Sequence, residues 1–268
     1  MAGPLRPCRH VLPLLTDLPA IELGPQRFPG PLDVDVWHYQ HDSSIGPERI
    51  SELAALLSPE EHTRMANLRD NRRRQQFIAG RALCRHVLSR YAPVALDQWR
   101  FALGSRGKPS IAAPALSSPL WFNLSHTDGV SVCAVTGAGP EIGIDIEQIA
   151  RGHDALDIAE QFFPETETNA LRRLPTVQRG ETFVHIWALK ESFVKARETD
   201  LGDALRGTTF DLARTDDIGV TFGEPLRERV QEWQFKLFQF DPARIVALAV
   251  RTQTTRPLRM RAGPCFAL

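Results

Sequence analysis

A strict alternation from Ile142 to Glu147 constrains this chain more than any other segment, because isoleucines alternate there with glycine and two acids. In a β-strand, successive side chains point to opposite faces of the sheet. The isoleucines would therefore share one face, and Asp145 and Glu147 would share the other, about 7 Å apart along the strand. Two carboxylates so placed could converge on one hard cation that takes oxygen ligands, such as magnesium. The alternative is an ordinary half-exposed strand whose polar side chains face outward.

A second segment places three notable side chains on one stripe of a helix. The stretch from Glu181 to Arg197 is predicted to be helical, and within it Trp187, Glu191 and Lys195 recur every fourth residue. Glutamate four residues before lysine is also the favourable order for a surface ion pair, which contributes only about 0.3 kcal/mol. Tryptophan on the same stripe argues against full solvation, because a large aromatic side chain usually becomes buried. We therefore interpret this helix face as the border of a cleft.

A third segment combines a short strand with polar side chains. The run from 121 to 124 predicts a strand that leads into a polar turn containing Ser125 and His126. Together with Asn123, these residues offer hydrogen-bonding groups for phosphate oxygens. The alternative is a solvated turn, and nothing nearby supplies the base and orienting group of a serine-protease triad.

Basic residues lie upstream, on a predicted helical region and a turn. Ser58-Pro59-Glu60-Glu61 predicts a helix start, since serine can cap free amides and proline is tolerated in the first turn. The helical region runs to about Tyr91 and carries Arg81 and Arg85 four residues apart. Their face could bind phosphate, or it could be an ordinary solvated basic face. Gly107-Lys108-Pro109 predicts a turn that presents one ammonium group.

The remaining pattern predicts an α+β architecture. The chain of 268 residues is long enough to bury a sizeable core. Its first thirty residues are interrupted repeatedly by proline and glycine and are predicted to form an arm without regular structure. Further strands are predicted at 32–37, 98–103, 130–135, 233–240 and 244–251.

Composition excludes several broad classes of partner. With 32 basic and 32 acidic residues, the net charge is zero and provides no global attraction for nucleic acid or an anionic membrane. No run of about 18 apolar residues occurs, and Pro13 interrupts the short apolar run near the N-terminus. The four cysteines are scattered, without a metal-binding or disulfide-scaffold pattern. We therefore expect a cytoplasmic protein with reduced thiols. The residues leave the oligomeric state open, and a monomer is the expectation.

Together and in this order, the segments resemble the Sfp-type 4'-phosphopantetheinyl transferases, which activate the carrier proteins of polyketide, peptide and fatty-acid synthases. The resemblance covers about residues 58–212. It implies an α+β fold of two similar, pseudo-twofold-related halves with the site in the cleft between them. The implied parts are an N-terminal arm 1–30, an N-terminal half 31–139, a C-terminal half 140–251 and a C-terminal tail 252–268. The segments that carry the resemblance are Gly80-Arg81, Gly107-Lys108-Pro109, Asn123-Leu124-Ser125-His126, Gly143-Ile144-Asp145-Ile146-Glu147 and Trp187 through Lys195.

The resemblance also implies roles for individual residues. The implied magnesium ligands are Asp145, Glu147 and Glu191. Lys195 would contact the pyrophosphate of coenzyme A, and Glu191 would accept the proton of the attacking serine. The implied catalytic residues are Glu191, Lys195 and His126, and the implied coenzyme A contacts are Arg81, Arg85, His86, Lys108, Asn123, Ser125, His126 and Lys195.

The implied reaction moves 4'-phosphopantetheine from coenzyme A to a serine of an acyl or peptidyl carrier protein and releases 3',5'-ADP. Two alternatives stay open: a non-catalytic protein that binds coenzyme A or a carrier, and another magnesium-dependent enzyme acting on a nucleotide pyrophosphate. The arginine-rich segment around residues 72–74 is a candidate docking patch for an acidic carrier, by charge complementarity.

The chain departs from the family pattern just after Lys195. Where the family has glycines, this chain has Glu198 and Asp200. Because a glutamate is penalised at positive φ, we expect either a longer helix or a different loop at this point.

Overall fold

The computed structural model describes residues 12–41, 46–212 and 218–265. They divide into two compact units. The C-terminal unit consists of Pro140–Leu258 with the chain up to Asp17, and the N-terminal unit consists of Leu18–Gly139 with the chain from Arg259. Cys8, the beginning of the expected arm and the last three residues of the expected tail lie outside the described residues. None of the described helices is both long and apolar enough to cross a membrane.

The described chain alternates groups of helices and strands. The helices are α1 (Pro47–Ala54), α2 (Pro59–Ala66), α3 (Asn71–Tyr91), α4 (Ala155–Phe162), α5 (Glu165–Arg173), α6 (Thr176–Arg197) and α7 (Leu201–Gly207). The strands are β1 (Asp33–Gln40), β2 (Arg100–Leu103), β3 (Pro109–Ala113), β4 (Trp121–Thr127), β5 (Val130–Thr136), β6 (Ile142–Gln148), β7 (Thr208–Asp211), β8 (Gly219–Phe222), β9 (Trp233–Asp241), β10 (Arg244–Arg251) and β11 (Arg259–Pro264). The predicted α+β class is confirmed.

The N-terminal unit is built on a four-stranded sheet in the order β11–β1–β5–β4. Helix α3 packs on the sheet face that carries Leu124 and Cys133. It approaches closely at Gly80, where a Cβ atom would lie 3.0 Å from the side chain of Leu124. Strands β2 and β3 form a separate antiparallel hairpin. The sheet and α3 thus enclose the core of this unit.

Strand β11 gives the end of the chain a structural role that the sequence did not predict. It pairs in parallel with β1. Two ion pairs fix the register: Arg259 Nε lies 2.6 Å from Asp33, and Arg261 donates two hydrogen bonds to the buried carboxylate of Asp35. The segment expected to be a tail therefore contributes a strand to the N-terminal unit.

The C-terminal unit is built on the antiparallel sheet β6–β10–β9, with α6 packed across β6 and β10. The predicted strands at 142–147, 233–240 and 244–251 and the predicted helix at 181–197 are all observed. The strand at 244–251 has the predicted bounds, the other two are one residue longer, and the helix begins five residues earlier, at Thr176. On the face beneath α6, β10 presents Ile245, Ala247 and Ala249 to the core. Two of these side chains are small, which allows the helix to lie close to the sheet.

The basic helical region is two helices rather than one. Ser58 caps α2 as expected and forms a full capping box with Glu61. The chain then leaves the helix at Asn67, and Asp70 caps a new helix by accepting a hydrogen bond from the amide of Arg72. Helix α3 ends at Tyr91, as predicted.

The helix α6 ends without the expected glycine. It does not extend; Glu198 itself adopts the left-handed conformation, with φ 53° and ψ 39°, and its amide donates to the carbonyl of Val194. Asp200 caps α7 by accepting hydrogen bonds from the amides of Gly202 and Asp203. The three-residue connection from Glu198 to Asp200 therefore begins with a glutamate in a conformation that favours glycine.

We predict that Glu198→Gly raises the free energy of unfolding by about 1 kcal/mol, because glycine has no Cβ to penalise the left-handed conformation. Chemical denaturation measures the change. Glu198→Ala is the matched control, since it removes the charge but keeps the Cβ. Equal stabilities of the two variants would contradict the conformational explanation.

Candidate active site

The candidate site depends on a close contact between α6 and β6 at Gly143. A Cβ atom there would lie 1.9 Å from the carbonyl oxygen of Ser192 and 2.5 Å from the amide nitrogen of Ala196. Because alternate residues of a strand share a face, Asp145 and Glu147 project on the side of the sheet that α6 covers. A glycine at 143 is thus required for the helix to lie beside the two acids.

Helix α6 supplies a cation that pairs with the first acid. Lys195 Nζ lies 2.6 Å from Asp145 Oδ1 and donates a hydrogen bond to it. Asp145 is only 4% exposed. The lysine thus neutralises a carboxylate that is largely removed from water.

The second acid has a partner that the sequence analysis missed. Arg151 Nη1 lies 2.8 Å from Glu147 Oε2 and donates a hydrogen bond to it. Arg151 lies in the 3-10 helix Ile149–Asp154 that directly follows β6, four residues after Glu147. That spacing is typical of helical ion pairs, but a position just past a strand gave no signal that the chain would turn there.

The carboxylates influence one another electrostatically. Burial, together with the negative charges of Asp145 and Glu191, raises the pKa of Glu147 to about 7 against the opposing effect of Arg151 and Lys195. Burial and the charge of Asp145 also raise the pKa of Glu191, while Lys195 lowers it. The structure therefore brings together the three acids that the sequence analysis singled out on a strand and a helix.

The donor set fits a hard divalent cation by its chemistry. Three carboxylates in a partly desolvated site provide oxygen ligands and negative charge. A cation would relieve the repulsion that, together with burial, raises the pKa values of Glu147 and Glu191. Among the described residues, however, no three histidine, cysteine, aspartate or glutamate side chains lie in an arrangement that could hold a metal ion. Lys195 instead neutralises Asp145 in this conformation.

The N-terminal unit holds a second cluster of expected site residues around Arg81. This side chain lies beside a pocket of about 300 Å³ that Arg64, Arg100 and Phe101 also line. Its Nε lies 3.2 Å from Glu61 Oε1, while its Nη1 is buried and makes no hydrogen bond to any described residue. Burial lowers the pKa of Arg81, although Glu61 opposes this effect. The pocket thus combines the buried guanidinium of Arg81 and the exposed Arg64 and Arg100 with the carboxylates of Glu60 and Glu61.

Arg85 is fully buried behind Arg81. Its guanidinium donates to the carboxylate of Glu61 and, at 3.4 Å, to the carbonyl oxygens of Arg81 and Trp99. Neither of the two sequence interpretations of this helix face describes Arg85, because it is neither solvated nor accessible to phosphate here. Its counterion, Glu61, was recognised in the sequence only as part of a helix start.

The prediction of a polar turn at Ser125 and His126 is wrong. Both residues lie within β4, which continues to Thr127 because it pairs with β5 along its whole length. The turn is shorter and begins at Asp128. By strand alternation, Asn123 and Ser125 share one face and are buried, whereas His126 is exposed on the face where α3 packs.

The two remaining expected contacts lie in different surroundings. Lys108 belongs to the β2–β3 hairpin turn, where its carbonyl accepts from the amide of Gly104. Gly107 has φ 81° in that turn, which confirms the predicted role of this glycine. His86 lies on α3, and burial lowers its pKa, as do the charges of Arg49 and Arg90. It is therefore a neutral imidazole at pH 7.

Comparisons with known proteins bear on both units. The 4'-phosphopantetheinyl transferase superfamily matches residues 141–250, and the family described as 4'-phosphopantetheinyl transferase, N-terminal, matches residues 46–137. Together they include the motif range 58–212 except for residues 138–140.

Relatives with curated names extend these matches. The 4'-phosphopantetheinyl transferase HetI of Nostoc sp. is 36% identical over 165 residues, which are 61% of this chain and 68% of the relative. The L-aminoadipate-semialdehyde dehydrogenase-phosphopantetheinyl transferase of Mus musculus is 32% identical over 76% of this chain and 71% of the relative. The 4'-phosphopantetheinyl transferase Sfp of Bacillus subtilis is 27% identical over 75% of this chain and 85% of the relative.

We predict that Gly143→Ala lowers the free energy of unfolding by about 2 kcal/mol or more, because the added methyl group would overlap the backbone of α6. Urea denaturation measures the loss. Gly46→Ala is the control, since no atom lies within 4 Å of a Cβ at that position. A Gly143→Ala protein as stable as the control would show that α6 does not depend on this contact.

We predict that Glu147→Gln stabilises the protein at alkaline pH but not at acid pH. Because the folded pKa of about 7 exceeds the ordinary 4.5, the folded chain retains a proton that the unfolded chain has lost between these values. The free energy of unfolding therefore falls as pH rises through that window, by up to about 3 kcal/mol. Glutamine avoids this loss.

The measurement is urea denaturation in EDTA at pH 4.5 and pH 8, with the exposed Glu181→Gln as control. A stabilisation that is equal at both pH values would rule out the assigned proton.

Proposed function

We propose that this chain, which belongs to the 4'-phosphopantetheinyl transferase superfamily, transfers 4'-phosphopantetheine from coenzyme A to a serine of an acyl or peptidyl carrier protein. The products would be the holo carrier and 3',5'-ADP. Membership confirms the resemblance and the transferase class predicted from the motifs. The observation that carries the proposal is the meeting of Asp145, Glu147, Glu191 and Lys195 on one face of the C-terminal unit.

In this proposal the three carboxylates hold Mg²⁺, which takes oxygen ligands and readily shares substrate phosphates. When bound, the ion would neutralise charge on the reacting diphosphate. Lys195 would then leave Asp145 and contact the pyrophosphate. The pair seen between these two side chains keeps both charges compensated before substrate arrives.

Glu191 is proposed to accept the proton of the carrier serine, directly or through a water molecule. Burial and the charge of Asp145 raise its pKa, which makes it a stronger base than an ordinary carboxylate. The serine oxygen forms a bond to the phosphorus on the pantetheine side, and the bond to the leaving 3',5'-ADP breaks. Little covalent chemistry is required of the protein, so positioning and charge neutralisation dominate.

The N-terminal unit is proposed to bind the nucleotide part of coenzyme A. Arg81 would contact phosphate from the pocket that it shares with Arg64 and Arg100, where its buried Nη1 lacks a hydrogen-bond partner among the described residues. We propose that Arg85, which has no exposed surface, acts through Glu61 by fixing Arg81 rather than by touching the ligand.

The other expected contacts with coenzyme A are also proposed, with side-chain positions taken from the structure. His126 is exposed and would contact a phosphate, whereas Asn123 and Ser125 lie on the opposite sheet face and would support the strand instead. Lys108 would reach the ligand from its hairpin turn. His86, half-buried on α3, would contribute as a neutral group.

We also propose that the protein works as a monomer in the cytoplasm, with an acidic carrier as partner and neither nucleic acid nor membrane. The thiols of Cys84, Cys133 and Cys265 are free and buried, consistent with a reducing compartment. In the arginine patch 72–74, Arg72 pairs with Asp128 and Arg74 donates to the carbonyl of Leu68. Arg73 would therefore be the residue of the patch most available for docking.

We predict that Asp145→Ala and Glu191→Ala each reduce transfer by roughly 10²–10⁴-fold while the protein stays folded, because positioning and proton acceptance are lost. Lys195→Ala should mainly lower kcat. The assay incubates protein, coenzyme A, magnesium and an apo carrier, and then measures the carrier by mass spectrometry.

Glu181→Ala, on the same helix but exposed, is the matched control and should keep full activity. Full activity of the Asp145 or Glu191 variant would refute the assigned roles. Release of 3',5'-ADP without a gain in carrier mass would instead indicate a hydrolase.

A further inference from the structure

We infer that the buried ion pair between Glu167 and Lys190 is a positioning device that fixes the rotation of α6 about its axis, so that Glu191 faces β6. This inference rests on the proposed function, because it is the role of Glu191 in that function that makes the rotation important. Lys190 is therefore a positioning residue and touches no substrate.

The ammonium group of Lys190 is enclosed by acceptors. Both Lys190 and Glu167 are fully buried, and Nζ lies 2.8 Å from Glu167 Oε2. Nζ also donates to the carbonyl of Leu205 at 2.9 Å, to Thr208 Oγ1 at 3.2 Å and to the carbonyl of Thr208. The second carboxylate oxygen of Glu167 accepts a hydrogen bond of 2.8 Å from the amide of Phe210.

These contacts join four elements at one point. Glu167 belongs to α5, Lys190 to α6, Leu205 to the last turn of α7, and Thr208 and Phe210 to β7. The last carbonyls of a helix have no partner within it, and Lys190 satisfies one of them in α7. The ring of Phe163 lies 4.7 Å from Nζ and closes the remaining side. Helix α6 cannot turn about its axis without separating Nζ from several of these groups at once.

The contacts of Lys190 and Ser192, the two neighbours of Glu191, determine where Glu191 lies. Successive side chains of an α-helix are about 100° apart, so Lys190 and Ser192 lie on opposite sides of Glu191. Ser192 is held against Gly143 of β6. Glu191 thus lies between two fixed neighbours. A rotation of about 20° would move its carboxylate by on the order of 2 Å, and displacements of about 1 Å already reduce catalysis severely.

Stability alone is a weak explanation for this pair. Two charges lose their hydration when they are buried, and a neutral pair of similar shape is often equally stable. A charged pair with several directed hydrogen bonds specifies one arrangement of the elements around it, which an apolar contact would not. The pair is therefore suited to fixing a helix orientation.

The test is the neutral double variant Glu167→Gln/Lys190→Met. The glutamine oxygen can still accept from the amide of Phe210, and methionine follows the path of the lysine stem. We measure thermal unfolding, Mn²⁺ affinity by electron paramagnetic resonance without coenzyme A or carrier, and kcat and KM for coenzyme A. We expect a folded protein whose kcat falls at least about tenfold, with Mn²⁺ affinity reduced about tenfold and KM within about threefold of wild type.

Two further variants separate a loss of helix orientation from a general loss of stability. Tyr91→Phe removes hydrogen bonds to Trp37 and Asp35 in the N-terminal unit, so it lowers stability away from α6 and should keep kcat and Mn²⁺ affinity. Thr208→Val removes one acceptor of Nζ with little change of shape and should lower kcat about threefold. It decides the question if the double variant does not fold.

A folded double variant with wild-type kcat and Mn²⁺ affinity overturns the inference. The inference is also overturned if Tyr91→Phe and the double variant both lose activity in proportion to their folded fraction. If the double variant is unfolded, a folded Thr208→Val protein with wild-type kcat and Mn²⁺ affinity overturns it. A wild-type chain that binds Mn²⁺ but transfers nothing overturns the proposed function alone, and the Mn²⁺ affinities then decide the inference. A wild-type chain that does neither overturns both.

Discussion

The contact between the backbones of α6 and β6 at Gly143 is the constraint on which the candidate site depends. With no side chain at this position and with Ala247 and Ala249 on the adjoining strand, the helix lies directly on the sheet. Charged side chains from two elements are thereby held together where little water is left to screen them. The raised pKa values of Glu147 and Glu191 are the electrostatic consequence of that geometry. The same closeness that assembles the site makes its carboxylates repel one another.

Local pattern was sufficient to predict the elements that carry this site. Alternation predicted β6, and the four-residue spacing from Trp187 to Lys195 predicted α6, because these periods follow from strand and helix geometry alone. Neither pattern could predict that the two elements meet. That depends on a glycine in one strand and small residues in another, more than one hundred positions along the chain. Only the ordered set of motifs, through the family resemblance, connected Asp145 with Glu191.

Predictions failed where a tertiary contact gave a residue a structural role that its local sequence does not predict. Ser125 and His126 have turn-like composition, yet pairing with β5 keeps them in a strand. Arg85 belongs to a basic helix, yet Glu61, a helix-capping residue, gives it a buried counterion. Glu198 adopts the left-handed conformation that favours glycine, where α6 ends and a short connection leads to the cap of α7. For the strand and for Arg85, the local preference was real, and a contact distant in sequence exceeded it.

Helix α6 carries two unfavourable features: Glu191, which is repelled by Asp145 of β6, and a residue in the left-handed conformation at its end. Its opposite side must supply the compensation, and the packing there is aromatic. Phe193 lies 4.9 Å from the ring of Trp233 and 5.2 Å from that of Phe222, all within the main core of the unit. Apolar burial of this kind is strong but not directional. It can hold the helix against the sheet, whereas directed contacts such as those of Lys190 are required to determine which side chains the helix presents to the acids of β6.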